Sequence, residues 1–144
     1  MISLVMDTSN SYLAVGLFQD NMCLEAFQEK GSRRQSEKAI PTLKEVLDRH
    51  HIALKDVNEM IITSGPGSYT GVRVAMTIAK TLAAVSDVRI KSVSSLAAYA
   101  GMNQALSVID ARGHKVFVGV YENGLPLIKE QVVALEDFAQ LRAE

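Results

Sequence analysis

Ile61-Ile62-Thr63-Ser64-Gly65-Pro66-Gly67-Ser68-Tyr69-Thr70-Gly71-Val72-Arg73 is the stretch on which the reading of this chain turns. A short apolar run leads into it and an amphipathic stretch leaves it, the pattern of strand, tight loop and helix. Gly65, Gly67 and Gly71 admit positive φ and close approach of a ligand or a second backbone segment. Pro66 sets one φ between them. Thr70 is the expected N-cap of the helix, and free amides at such a helix start attract anions. Arg73, expected in the first turn, stands where the helix dipole favours a carboxylate, so a cation there calls for an anion or a nearby acid. No Gly-Lys-Ser/Thr follows, and Gly71 comes one residue too late for G-x-G-x-x-G. Two readings stay open: an anion site, or a turn where strand and helix pack closely.

Outward from this segment, residues 2–6, 12–18 and 22–28 read as strands, with Gln19-Asp20-Asn21 as a hairpin turn. Residues 32–50 read as a helix with Ala39, Ile40, Leu43, Val46 and Leu47 on one face. Pro41 falls inside it, which predicts a kink or a later start. A strand at 59–63, a helix at 70–85, a strand at 88–93 and a helix at 94–101 follow, with Ser94 and Ser95 suited to capping. The second helix has two apolar sides, one of Ala75, Ile78, Ala79 and Leu82 and one of Val72, Met76, Ala83 and the stem of Lys80. Both must be covered, the second by the first helix or by another molecule.

The chain then starts again. Val5-Met6-Asp7-Thr8-Ser9-Asn10-Ser11-Tyr12-Leu13-Ala14-Val15-Gly16-Leu17-Phe18 aligns without gaps on Val108-Ile109-Asp110-Ala111-Arg112-Gly113-His114-Lys115-Val116-Phe117-Val118-Gly119-Val120-Tyr121. Each copy is strand, Asp, polar turn and strand, with a glycine and then an aromatic at matching places. Duplicated hairpins point to two related lobes, at 1–103 and 104–144. After residue 124 only one strand (128–133) and one helix (135–142) are expected, so the second lobe reads as incomplete and the chain as a fragment.

The chain has 144 residues, 48% of them hydrophobic, which suits a globular protein, and its succession of strands and helices puts it in the α/β class. A formal net charge of −1 with scattered Lys and Arg is a poor footprint for gripping nucleic acid alone. Cys23 is the only cysteine, so neither an internal disulfide nor a cysteine-based zinc site can form. Residues 1–6 lack the basic flank of a signal peptide, and no apolar run approaches the ~20 residues of a membrane span. The expected setting is cytoplasmic, without membrane contact.

Strand-Asp7-Thr8-Ser9, Gly65-Pro66-Gly67-Ser68-Tyr69-Thr70-Gly71-Val72-Arg73, Val93-Ser94-Ser95-Leu96 and Ile109-Asp110-Ala111-Arg112 occur in one order. Together they resemble the TsaB (YeaZ) family of tRNA threonylcarbamoyladenosine biosynthesis proteins. The resemblance covers essentially the whole chain and implies the duplicated, ribonuclease H-like fold of actin, sugar kinases and Hsp70. Family members are longer, and many carry His where Gln35 stands. In the related catalytic TsaD family a His-x-x-x-His metal pair follows the matching fifth strand. Its positions fall here on Ser95 and Tyr99, neither a usual ligand for iron or zinc. The resemblance therefore implies a relative that kept the fold without the metal. It would be a non-catalytic subunit pairing with a TsaD-like homologue, joined by a TsaE-like ATPase and homodimeric when alone. It would touch tRNA only indirectly and hold no tight cofactor, with ATP entering at the level of the complex. The pairing surface implied is the two long helices, through Gln35, Glu37, Ile40, Pro41, Val72, Met76 and Lys80.

The alternative is a nucleotide-binding protein or ATPase in its own right. Asp7 and Asp110 would position a metal–nucleotide complex, with Thr8, Gly65, Gly67, Thr70 and Arg73 as nucleotide or anion contacts. Against it, Asp7 is equally suited to hydrogen bonding within its own turn or to an ion pair with Arg73. His50 and His51 do not share a helix face and make a poor metal pair. A serine peptidase lacks its Gly-x-Ser-x-Gly elbow, and a metallopeptidase lacks a ligand set.

Overall fold

The computed structural model describes residues 1–31 and 34–143, and their packing divides them into two units. The first, Met1–Ser64 with Ser68–Val93, holds a five-stranded sheet. Its strands are β1 (Ile2–Asp7), β2 (Tyr12–Gln19), β3 (Met22–Lys30), β4 (Glu59–Thr63) and β5 (Arg89–Val93), in spatial order β3-β2-β1-β4-β5. The first three form an antiparallel meander, turned between β2 and β3 by Asp20 and Asn21 at φ 48° and 70°. Short polar residues suit that left-handed two-residue turn. β4 and β5 add in parallel, which requires long crossovers. Helices α1 (Gln35–Arg49) and α2 (Tyr69–Val85) provide them.

The alternation of side chains along the strands places Leu4 and Met6 of β1, Leu13, Val15 and Leu17 of β2, and Met60 and Ile62 of β4 in one buried layer. Ala39, Leu43, Val46 and Leu47 of α1 and Ala75, Ile78 and Ala79 of α2 close the same cluster. Burial of each large aliphatic chain contributes about 1.5–3 kcal/mol, so this layer holds the unit together. Glu59 is also buried. Its Oε1 accepts from Ser3 Oγ at 2.8 Å and its Oε2 meets Lys91 Nζ at 2.7 Å. The lysine, then the serine, hold its carboxyl below the usual carboxylate range.

Three expectations change here. The first helix begins at Gln35 among the described residues; residues 32 and 33 of the expected range lie outside them. Pro41 sits inside α1 as expected, and Ile40, grouped on one apolar face with Ala39, Leu43, Val46 and Leu47, is 59% exposed while those four are buried. The N-cap of α2 is Ser68, not Thr70: Gly71 N donates to Ser68 Oγ at 3.1 Å. Helix counting then moves Arg73 from the first turn to the second.

The second unit, Gly65–Gly67 with Ser94–Glu144, carries the antiparallel sheet β6 (Ala105–Arg112), β7 (Lys115–Glu122), β8 (Leu125–Ala134) in that order, with helices α3 (Ser95–Ala100) and α4 (Leu135–Ala143). Packing places α3 here, ahead of the repeat boundary expected at 103/104. Ser94 caps α3 by accepting from Leu96 N at 3.2 Å, and Ser95 N donates to Gly65 O at 2.9 Å. Leu96, Ala100 and Tyr121 form the small core. The Tyr121 hydroxyl donates to Glu130, and burial, with that bond, pushes it up to about 12.

The repeat is visible in three dimensions. β1-β2-β3 and β6-β7-β8 are antiparallel meanders in the same order. In each, an aromatic ring lies over the glycine two residues before it: a Cβ on Gly16 would stand 2.9 Å from the Phe18 ring, and one on Gly119 2.7 Å from that of Tyr121. The register differs by one residue. Gly16 faces Val5, but Gly119 faces Ser107, because a bulge between Asp110 and Arg112 absorbs Ala111.

Candidate functional site

Between α1 and α2 the first unit carries two adjoining recesses. One, of about 380 Å³, is lined mainly by Leu43, Leu47, Ile52, Leu54, Ile78 and Leu82. The other, of about 440 Å³, is lined by Ser36, Ile40, Tyr69, Arg73, Val74 and Thr77 among others. Ile40, Thr77 and Ile78 border both, so the two form one groove. The cause lies in the sequences: α2 presents Thr77 and Thr81 toward α1, and these short side chains leave the space between the helices open.

Both helices are fixed to the sheet. Gln35 Nε2 donates to the carbonyls of Asn10 at 2.6 Å and Tyr12 at 2.9 Å. At the other end of α1, Arg49 Nη2 lies 2.5 Å from Glu25 Oε1 and His50 Nε2 lies 2.8 Å from Glu25 Oε2. Arg49 holds the Glu25 carboxyl below its ordinary value and is itself raised by the pairing. The pair faces solvent, so its role is more orientation than stability.

The start of α2 is set by the turn after β1. Asp7 Oδ1 accepts from Ser9 N at 2.8 Å, Ser9 Oγ at 2.6 Å and Thr63 Oγ1 at 2.7 Å. Thr8 Oγ1 donates to Gly71 O at 2.5 Å, and Ser68 N to Ser9 O at 2.8 Å. A Cβ on Gly71 would stand 2.0 Å from the Thr8 carbonyl oxygen, closer than any side chain can be tolerated. Gly71 is therefore needed for backbone contact, the close-packed alternative of the two readings at that position.

The expected nucleotide or anion contacts do not form one cluster within either unit. Asp7, Thr8, Thr70 and Arg73 belong to the first unit, Gly65, Gly67 and Asp110 to the second. Of the two structural roles open to Asp7, the hydrogen bonds within its own turn are present, and no ion pair with Arg73 is found among the described residues; Arg73 stacks on Tyr69. Asp110 Oδ1 accepts from Arg112 N at 2.8 Å, again a turn contact. Ser95 and Tyr99 fall on α3, the first buried and the second exposed.

Of the expected pairing residues, Glu37, Ile40, Pro41 and Lys80 are exposed, while Gln35, Val72 and Met76 are half-buried and Met76 packs on the core. The open side of α2 is instead Tyr69, Arg73, Thr77 and Thr81. Sequence reasoning passed over Tyr69. Its spacing of four from Arg73, which puts both on one helix face, was the signal available.

A protein-family model described as "TsaD: tRNA N6-adenosine threonylcarbamoyltransferase" matches residues 28–144. The chain is 33% identical to the Bacillus subtilis tRNA threonylcarbamoyladenosine biosynthesis protein TsaB, over 100% of this chain and 67% of that protein. It is 31% identical to the Escherichia coli protein of the same name, over 85% and 57%. Among solved structures, YeaZ from Pseudomonas aeruginosa superposes with a TM-score of 0.84 at 29% identity, covering 92% of this chain and 67% of that one. The ethanolamine utilization protein EutJ from Carboxydothermus hydrogenoformans, with a TM-score of 0.52 at 13% identity over 100% of this chain and 58% of its own, shares the fold alone. The chain thus spans between about half and two thirds of the length of these proteins.

Proposed function

Because the chain belongs to the TsaB family of tRNA threonylcarbamoyladenosine biosynthesis proteins, we propose that it is a non-catalytic subunit that pairs through α1 and α2 with a metal-bearing, TsaD-like homologue. In that role it supports transfer of the threonylcarbamoyl group to the tRNA adenosine beside the anticodon, in the cytoplasm. The observation that carries this reading is the open groove between α1 and α2, with Ile40 exposed at its border. An apolar groove of this kind is filled by the helices of another subunit, and alone the chain would use it for a second copy of itself. A specific pairing would bury roughly 1,000 Å² or more. A TsaE-like ATPase joins the pair, ATP acts at that level, and tRNA is held mainly by the partners. The near-zero net charge fits this division of work.

The competing reading, a nucleotide-binding protein in its own right, has less support. The Oδ1 oxygen of Asp7 already accepts three hydrogen bonds within its unit. Tight ATP binding by the isolated chain, lost on Asp7→Ala, would restore it.

Size-exclusion chromatography with light scattering, on the chain alone and mixed with the homologue, tests the proposal. The expected result is a homodimer that converts to a heterodimer, with Ile40→Glu abolishing both while the monomer stays folded. Pairing that survives Ile40→Glu refutes it. Ile40 is the clean probe because its side chain is exposed, whereas Met76 also serves the core.

A further inference from the structure

Tyr69 opens α2 with 76% of its surface exposed. One turn on, the Arg73 guanidinium lies over the tyrosine ring, 5.2 Å from its centroid, and Nη1 donates to the phenol oxygen at 3.1 Å. Two long exposed side chains are thus held in one arrangement before anything binds them. Arg73 and Tyr69 both line the groove beside Ile40.

Lys38, Arg49 and Lys91 of the same unit each meet a carboxylate, of Glu29, Glu25 and Glu59. Among the described residues no carboxylate lies within ion-pair distance of Arg73, which donates to the Tyr69 phenol oxygen. No acid stands in the first turn of α2 to offset the positive end of the helix. A guanidinium has five N–H donors in a planar fork suited to a carboxylate. A stacked, prearranged Arg–Tyr pair at the edge of an apolar groove has the character of residues that dominate protein interfaces.

We propose that the Tyr69–Arg73 pair is the specificity anchor of the groove, taking an Asp or Glu carboxylate from the partner subunit. The guanidinium fork meets the acid, and the tyrosine ring covers its aliphatic stem. This rests on the pairing reading above and adds to it the chemistry by which the partner is chosen.

The test is calorimetric titration of the chain with the metal-bearing homologue over a series of salt concentrations, for wild type, Arg73→Gln, Arg73→Lys, Tyr69→Ala and Ile40→Glu. Circular dichroism confirms that each is folded. Arg73→Gln is expected to weaken pairing about tenfold or more and to flatten its salt dependence. Arg73→Lys should restore the salt dependence but only part of the affinity, since an ammonium lacks the fork. Tyr69→Ala should cost less when combined with Arg73→Gln than alone. If Arg73→Gln keeps the wild-type affinity and salt dependence while Ile40→Glu abolishes pairing, the anchor is wrong and the helix interface stands. If Ile40→Glu also pairs, or wild type does not pair, both readings fall. Titration with inorganic phosphate separates the other source of an anion: binding lost on Arg73→Gln, with pairing unchanged, would assign Arg73 to phosphate and overturn the proposal.

Discussion

Gly71 shows how much one missing Cβ can determine. The helix start lies against the Thr8 carbonyl, and the Thr8 hydroxyl reaches back to the Gly71 carbonyl. Asp7 and Ser9 hold that turn in place through Thr63 and Ser68. Gly71→Ala is therefore expected to destabilise the chain by about 1–3 kcal/mol, as overpacking does, and to weaken pairing by displacing the first turn of α2. Urea unfolding followed by circular dichroism measures the first effect; an unchanged midpoint would show that the turn can yield. Thr8→Val keeps the shape and loses one buried hydrogen bond, for about 1 kcal/mol by the same assay. The triplet Asp7-Thr8-Ser9 was legible as a polar turn. Its engagement with Gly71, more than sixty residues away, was not, because nothing in local sequence records which distant backbone will approach.

Among the elements, β4 shows a conflict between pattern and burial. Its buried layer, Met60 and Ile62, follows the strand period, yet Glu59 at its start is buried as well. Ser3 from β1 and Lys91 from β5 reach it from the two flanking strands. A carboxylate so held is ionised more readily in the folded than in the unfolded chain. Its contribution is complete above the ordinary glutamate range and is lost as pH falls through the lowered folded value. Glu59→Gln should therefore be less stable than wild type at pH 7, with the gap closing in acid. Denaturant unfolding across that pH range checks this, and a gap independent of pH would mean that the charge is not what matters. For α1 and α2, period and composition located the helices and most of their buried faces. They set Ile40 on one face with residues that the sheet buries, and they missed the open side of α2, since a helix apolar on several sides does not say which side its own sheet will take.

At the scale of the whole molecule, the duplicated hairpin was legible from fourteen aligned positions, and both copies form meanders with an aromatic ring over a glycine. The two units are unequally supplied with buried apolar residues. The first closes a sheet with two long helices, and the second rests on Leu96, Ala100 and Tyr121 with partly buried neighbours, and on Val116 and Val118, which are also buried. Amide hydrogen exchange should therefore be slowest in β1 and β4 and faster throughout β6–β8, since local opening tracks buried apolar contact; equal protection in both sheets would contradict this. The sequence by itself determined the order of elements, the α/β class, the repeat and the family. Those follow from periodicity, turn chemistry and short motifs, all local in the chain. Only the tertiary structure decided that Ser68 caps α2, that Asp7 and Thr8 serve the helix start, and that Tyr69, Arg73 and Ile40 border one open groove. Each of those depends on which remote surfaces meet, and that is settled by packing two helices on one sheet.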